Sequence, residues 1–247
     1  MASAAEHSQS LGRRCLAEGL GTALLVAAVI GSGIAAQRLS PNDVGLQLLE
    51  NSLITGAGLV ALILALQPIS AAFNPVVTLV ERAFGALTTT AAVVVVAAQV
   101  VGGAVGAVIA NLMFELPAVA LSTHVRSSAG LWLGEVVATL GLVLVIFGVV
   151  RSGRGPLVAF AVGGYITAAY WFTSSTSFAN PAVTIARMFS NTFAGISPSS
   201  VAMFVGMQLL GGVVAYGLVR LLYPEARAVA ARLTAEPETR PLPEERV

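Results

Sequence analysis

Residues 178–188 read FANPAVTIARM, and residues 73–79 read FNPVVTL. Each stretch contains an Asn-Pro pair followed by small apolar residues and a Thr, and one lies in each half of the chain. Asn is among the preferred residues for capping a helix N-terminus, and Pro at the first helical position loses no needed hydrogen bond. Both stretches therefore predict the start of a helix, and their repetition indicates a duplicated element.

The composition of the chain predicts a membrane protein. Hydrophobic residues make up 56% of the sequence and charged residues 10%, whereas about 25% of the residues of a soluble domain are charged. The net charge of +1 gives no basic surface for nucleic acid. The single cysteine, Cys15, excludes an internal disulfide and a cysteine-rich metal site. Because no nucleophile, metal cluster or cofactor motif is present, we expect neither enzymatic activity nor a cofactor.

Six long apolar stretches predict transmembrane helices, because about 20 apolar residues cross a hydrocarbon core of ~30 Å. They are residues 15–34, 46–67, 88–110, 131–150, 156–172 and 200–222. Two further stretches, 74–84 and 180–190, follow the Asn-Pro pairs and are long enough for only half a crossing. The sequence therefore predicts an all-α membrane protein with six transmembrane helices and two re-entrant half-helices.

Three landmarks occur twice in the same order, which predicts an internal repeat. Glu18 and Glu135 each precede a Thr by four residues, the Asn-Pro pairs follow, and Gln99 and Gln208 each begin a Gln-x-x-Gly-Gly pattern. Each repeat contains three crossings, so the second must be inverted relative to the first. The two half-helices should then meet at the middle of the membrane and line a cavity.

The predicted channel domain covers residues 12–222, with repeats of about 12–112 and 129–222. It is flanked by an N-terminal segment, 1–11, and by a charged, Pro-rich tail, 223–247, that is predicted to be disordered. Both ends are expected in the cytoplasm, because arginines are enriched in cytoplasmic loops. That side would hold Arg13, Arg14, Arg151, Arg154, Arg220, Arg227 and Arg232. The outer side would hold Arg38, Arg126 and Arg187.

The repeated Asn-Pro pairs suggest a binding site as well as two helix starts. If the two Asn side chains cap with their oxygens, their amide N–H donors remain to point into the cavity. Two facing helix N-termini also place partial positive charge there, which disfavours cations and protons while the donors bind a neutral solute. The expected pore centre consists of Asn74, Pro75, Val76, Asn180, Pro181 and Ala182.

The paired motifs and the repeated Glu helices resemble the aquaporin, or major intrinsic protein, family over residues 12–222. The resemblance implies a homotetramer with one pore per subunit, passing water or small uncharged solutes passively. It also implies that Glu18 and Glu135 accept hydrogen bonds from the pore loop of their own half. An intramembrane carboxylate can instead couple transport to protons, but the symmetric repetition favours the structural role.

The selectivity ring departs from the family pattern. Val183 stands directly after the second motif, where orthodox family members carry Arg, and counting back from the motifs as in the family places the other ring positions near Thr55, Ala168 and Ser177. This ring contains neither a bulky aromatic residue nor His, so it should be wider and less polar than a water filter. It is similar to the rings of divergent bacterial aquaglyceroporins, including those associated with arsenic detoxification.

Arg187 lies one helical turn after Val183, on the same face. Helical side chains lean toward the N-terminus of the helix, here toward the ring. We therefore hypothesise that Arg187 restores part of the missing positive charge at the outer mouth. The alternative is a water-exposed Arg that interacts with the last carbonyls of its half-helix.

The sequence thus predicts a passive channel that crosses a cell membrane several times and contacts lipid. The expected location is the bacterial inner membrane. The expected solutes are glycerol-like polyols, arsenite or methylated arsenicals, together with water. A water-selective channel is the first alternative, weakened by Val183 and the missing aromatic residue. An ion-coupled transporter on the same inverted-repeat plan is the second, and it would need intramembrane charges beyond two symmetric Glu residues.

Overall fold

The computed structural model describes residues 10–224, which form eight α-helices and no strand. The helices are α1 (Leu11–Leu39), α2 (Val44–Leu66), α3 (Pro75–Ala83), α4 (Thr89–Met113), α5 (Ala129–Arg151), α6 (Val158–Phe172), α7 (Pro181–Arg187) and α8 (Pro198–Leu222). A short 3-10 turn precedes α6. The predictions for the tail and for most of the N-terminal segment lie outside the described residues.

Six helices are long and apolar enough to cross a membrane, namely α1, α2, α4, α5, α6 with its preceding turn, and α8. The helices α3 and α7 contain 9 and 7 residues, so each crosses only about half the hydrocarbon core. The predicted architecture of six spans and two half-helices is therefore confirmed.

Most of the spanning helices are longer than the apolar stretches of the sequence, and α6, which begins at Val158, is the exception. The helix α1 begins at Leu11 and ends at Leu39, whereas hydropathy predicts residues 15–34. Its first turn is capped by Ser10, whose side-chain oxygen accepts a hydrogen bond from the backbone N–H of Arg13. Hydropathy detects only the part of a helix that lies in hydrocarbon, so a polar first turn escapes it.

The two repeats pack in the same way. In the first repeat α1 packs along α4 and against α2, and in the second α5 packs along α8 and against α6. Each half-helix contacts the last helix of both repeats: α3 and α7 each pack against α4 and against α8. The half-helices are thus enclosed between the repeats, which places their N-termini inside the protein.

Glycines allow the long helices to approach each other closely. A Cβ atom added to Gly102 of α4 would lie 2.1 Å from the backbone oxygen of Gly19 in α1, and one added to Gly106 would lie 2.2 Å from that of Ala23. A Cβ atom at Gly211 of α8 would lie 2.6 Å from a backbone oxygen of α5. Small residues at such positions let helix backbones pack in membranes, and both Gln-x-x-Gly-Gly patterns serve this contact.

Candidate functional site

The half-helices α3 and α7 begin next to each other at the two Asn-Pro pairs. The side-chain oxygen of Asn74 accepts a hydrogen bond from the backbone N–H of Val76 at 3.0 Å. That of Asn180 accepts from the backbone N–H groups of Ala182 and Val183 at 3.0 and 3.2 Å. Each Pro occupies the first turn of its helix, so local capping chemistry sets where both half-helices start.

The two asparagines also join the repeats to each other. The amide nitrogen of Asn74 donates to the carbonyl oxygen of Ala179 at 2.8 Å, and that of Asn180 donates to the carbonyl oxygen of Phe73 at 2.7 Å. The sequence suggested that both amide groups would be left for the cavity. Instead one N–H of each amide holds the opposite loop, and the other remains for the cavity that both side chains line.

The residue before each Asn has a left-handed backbone. Phe73 and Ala179 both have a φ of 48°, a conformation that non-glycine residues rarely adopt and that costs free energy. Their N–H groups donate to Glu18 and Glu135, and their carbonyls accept from the asparagines of the opposite repeat. These bonds hold two strained residues directly before the N-termini of the half-helices.

Glu18 and Glu135 are fully buried and bind the loops that lead into the half-helices. Glu18 accepts hydrogen bonds from the backbone N–H groups of Ala72 and Phe73 at 2.8 and 2.7 Å. Glu135 accepts from the two corresponding N–H groups of the second loop, both at 2.9 Å. Irregular backbone inside a membrane needs such internal partners because no bulk water satisfies it.

Sequence reasoning treated the repeated Gln residues only as landmarks, but they complete the same network. The side-chain amide of Gln99 donates to Glu18 at 2.8 Å and to the hydroxyl of Thr78 at 2.9 Å. In the second repeat Gln208 makes the same two types of bond. The three landmarks that recur along the sequence therefore meet in each half of the structure. Their shared recurrence was the signal that could have revealed this network.

The side chains of Asn74 and Asn180 help to line a cavity of about 520 Å³. We call its end at Arg14 and Glu81 the α3-side mouth, and its end at Thr55, Tyr170 and Arg187 the α7-side mouth. One part of the wall is formed by the polar loops that lead into the half-helices. Most of the remaining wall is formed by apolar side chains of α1, α2, α5 and α6, namely Leu25, Val29, Leu59, Ile63, Leu142, Ile146, Val150, Val158, Val162 and Ile166.

The structure brings together three of the four expected ring residues. Thr55, Ser177 and Val183 line the cavity, whereas Ala168 is exposed on α6 and does not line it. Tyr170 lines the cavity instead, with its hydroxyl 3.2 Å from the hydroxyl of Thr55. Two residues along a helix turn the side chain by about 200°, so the count along α6 placed the wrong residue inward. The cavity wall therefore includes an aromatic residue.

Arg187 is buried and faces the cavity. Only 2% of its surface is exposed, so the alternative of a water-exposed Arg is wrong. Its guanidinium carbon lies 3.4 Å from the ring centroid of Phe178, and its Nε atom donates to the carbonyl of Ala194. Its two terminal nitrogens make no hydrogen bond to a residue within 10–224. Arg126, in the loop before α5, also lies over Phe178, at 5.1 Å.

Comparison with known proteins identifies similar chains. The sequence matches the family model described as major intrinsic protein over residues 5–171 and 154–242. It is 50% identical to aquaglyceroporin AqpS of Rhizobium meliloti (strain 1021) over 232 residues, which cover 94% of this chain and 98% of that protein. The fold is similar to the X-ray structure of the aquaglyceroporin from Plasmodium falciparum, with a TM-score of 0.69 and 20% identity, covering 89% of this chain and 100% of that one.

Proposed function

The chain belongs to the major intrinsic protein family, and from that premise we propose that its passive channel carries glycerol-sized polyols together with water. Members of this family are multi-pass membrane channels and not enzymes. The observation that carries the proposal is the cavity past Asn74 and Asn180, which combines amide donors with a long apolar wall. A polyol presents hydroxyl groups to the donors and C–H groups to the apolar wall.

The α7-side mouth favours a polyol over strict selection of water. Tyr170 offers aromatic surface to C–H groups, while Arg187 offers N–H donors to hydroxyls. Val183 adds apolar surface and no charge directly after the second Asn-Pro-Ala motif. Neutral arsenite resembles glycerol in size and hydrogen bonding, and methylated arsenicals would add methyl groups for the apolar wall, so these solutes are the second candidates.

We further propose a homotetramer in the bacterial inner membrane, with residues 12–222 forming the channel domain of each subunit. The excess of arginine at the start of α1 and at the C-terminal ends of α5 and α8 supports a cytoplasmic position for both termini. In that orientation the α3-side mouth opens to the cytoplasm. Large apolar side chains on the outward helix faces, such as Leu16, Val101 and Val213, are exposed as lipid or neighbouring subunits would require.

Swelling of proteoliposomes tests the proposed solutes. The purified protein is expected to accelerate water entry and glycerol entry several-fold over protein-free vesicles, because the cavity offers partners to both. Stopped-flow light scattering with separate water, glycerol and arsenite gradients measures each rate. Acceleration for water alone would favour the water-selective alternative, and saturable uptake that requires an ion gradient would contradict a passive channel.

Replacing Arg187 by Ala is expected to raise the leak of sodium ions several-fold, because the variant lacks the cation that faces the α7-side mouth. Arg187→Lys keeps the charge and should leak less than the Ala variant. Arg38→Ala is the matched control, since Arg38 also lies over a Phe ring and donates to a backbone carbonyl but does not line the cavity. If the sodium leak and the glycerol flux are both unchanged in Arg187→Ala vesicles, Arg187 does not contribute to selectivity.

A further inference from the structure

Two charged residues of opposite sign occupy corresponding positions in the two repeats. Glu81 and Arg187 each follow the asparagine of their own half-helix by seven residues. Both line the cavity, Glu81 at the α3-side mouth and Arg187 at the α7-side mouth. Because each half-helix begins at the pore centre and runs outward, the two residues lie at similar depths, about 10 Å from the centre on opposite sides.

Apart from Glu81, the charges along the cavity are positive. The half-helices α3 and α7 present their N-termini at the centre, each equivalent to about half a positive charge. Arg187 adds a full charge on one side and Arg14 another on the other side. These positive charges disfavour cations, but they also attract anions from either end. The lumen therefore needs a negative element if it is to exclude ions of both signs.

Glu81 is the side chain that can supply this negative element, and no hydrogen bond within residues 10–224 ties it to the fold. It is the only acidic side chain among the described residues that line the cavity. Its carboxylate makes no hydrogen bond to any residue within 10–224, whereas the carboxylate of Glu18 is buried and bonded to its pore loop. An unpaired carboxylate facing the lumen acts on the solutes that pass it.

We propose that Glu81 is the anion-rejecting residue of the channel. Arg187 then excludes cations at one mouth, Glu81 opposes anions at the other, and solutes without net charge pass both. The proposal rests on the proposed channel function and adds a second specificity-determining residue to it. It also gives a pore that has Val183 where family members carry Arg a means to exclude ions of both signs, through charged side chains that lie further from the pore centre.

Chloride entry into proteoliposomes tests this assignment. Chloride is followed by quenching of entrapped lucigenin, with valinomycin and potassium present to prevent a membrane potential from opposing its entry. Each chloride rate is divided by the glycerol swelling rate of the same vesicles, which reports the amount of active channel. The variants are Glu81→Gln and Glu81→Ala, which remove the charge, and Glu81→Asp, which keeps it. Glu115→Gln is the matched control, because it neutralises an exposed carboxylate that does not line the cavity.

We expect the ratio of chloride to glycerol permeability to rise on the order of tenfold in Glu81→Gln and Glu81→Ala. This is the size of effect expected when one repelling charge is removed from the wall of a partly hydrated lumen. Glu81→Asp and Glu115→Gln should stay close to the unmodified protein. An unchanged ratio in the two neutral variants would overturn the proposal. If neither neutral variant conducts glycerol, Glu81 serves the fold and the proposal also fails. Absence of glycerol flux in the unmodified protein would instead overturn the proposed function.

Discussion

Glu135→Ala is expected to destabilise the folded channel strongly. Glu135 accepts hydrogen bonds from the N–H groups of Phe178 and Ala179 and from the side chain of Gln208. The substitution leaves these three donors buried without an acceptor, at about 1–3 kcal/mol each. Removing the carboxylate also removes its own desolvation cost, but the orphaned donors and the left-handed backbone of Ala179 remain.

The loss should appear as a lower melting temperature of the detergent-purified protein, with aggregation in size-exclusion chromatography. Glu135→Gln provides an isosteric comparison. It keeps one acceptor oxygen but turns an NH2 group toward backbone donors, so it should also be destabilised, though less. Glu115→Gln should leave the melting temperature unchanged because Glu115 is exposed. A Glu135→Ala protein that melts within a few degrees of the unmodified one would contradict the assigned support of the loop.

Gly102→Val is expected to have the second large effect, by forcing α1 and α4 apart. The first carbon atom of any side chain at Gly102 would lie 2.1 Å from the backbone oxygen of Gly19, and a helix backbone cannot give way locally. Overpacking typically costs about 1–3 kcal/mol and sometimes more, and here it acts on a helix pair that also carries Glu18 and Gln99. Melting temperature and glycerol swelling should both fall, with Gly102→Ala intermediate.

Gly217→Ala is the matched control for this contact. Gly217 is also a helical glycine of a spanning segment, in α8, but a Cβ atom added there meets nothing within 4 Å. Since Ala has a higher helix propensity than Gly, the control should be neutral or slightly stabilising. Equal melting temperatures of Gly102→Ala and Gly217→Ala would show that the close approach of α1 and α4 does not limit stability.

The ring shows where prediction from the sequence reached its limit. Val183 and Ser177 lie next to a motif in the chain, and the structure places both at the cavity. Ala168 was counted along a helix without a nearby landmark, and the structure places Tyr170 at the cavity instead. An error of two residues rotates a helical side chain to the opposite face, so a small uncertainty in register changes the chemistry of the site.

The sequence by itself determined the number of spans, the repeat and the starts of both half-helices. These features depend on hydropathy and on capping by Asn and Pro, which act between residues close together in the chain. Only the tertiary structure decided the left-handed backbone of Phe73 and Ala179 and the bonds of the two asparagines across the repeats. Those bonds join residues more than 100 positions apart, and no local preference favours a positive φ at Phe or Ala. The packing of the two repeats against each other imposes it.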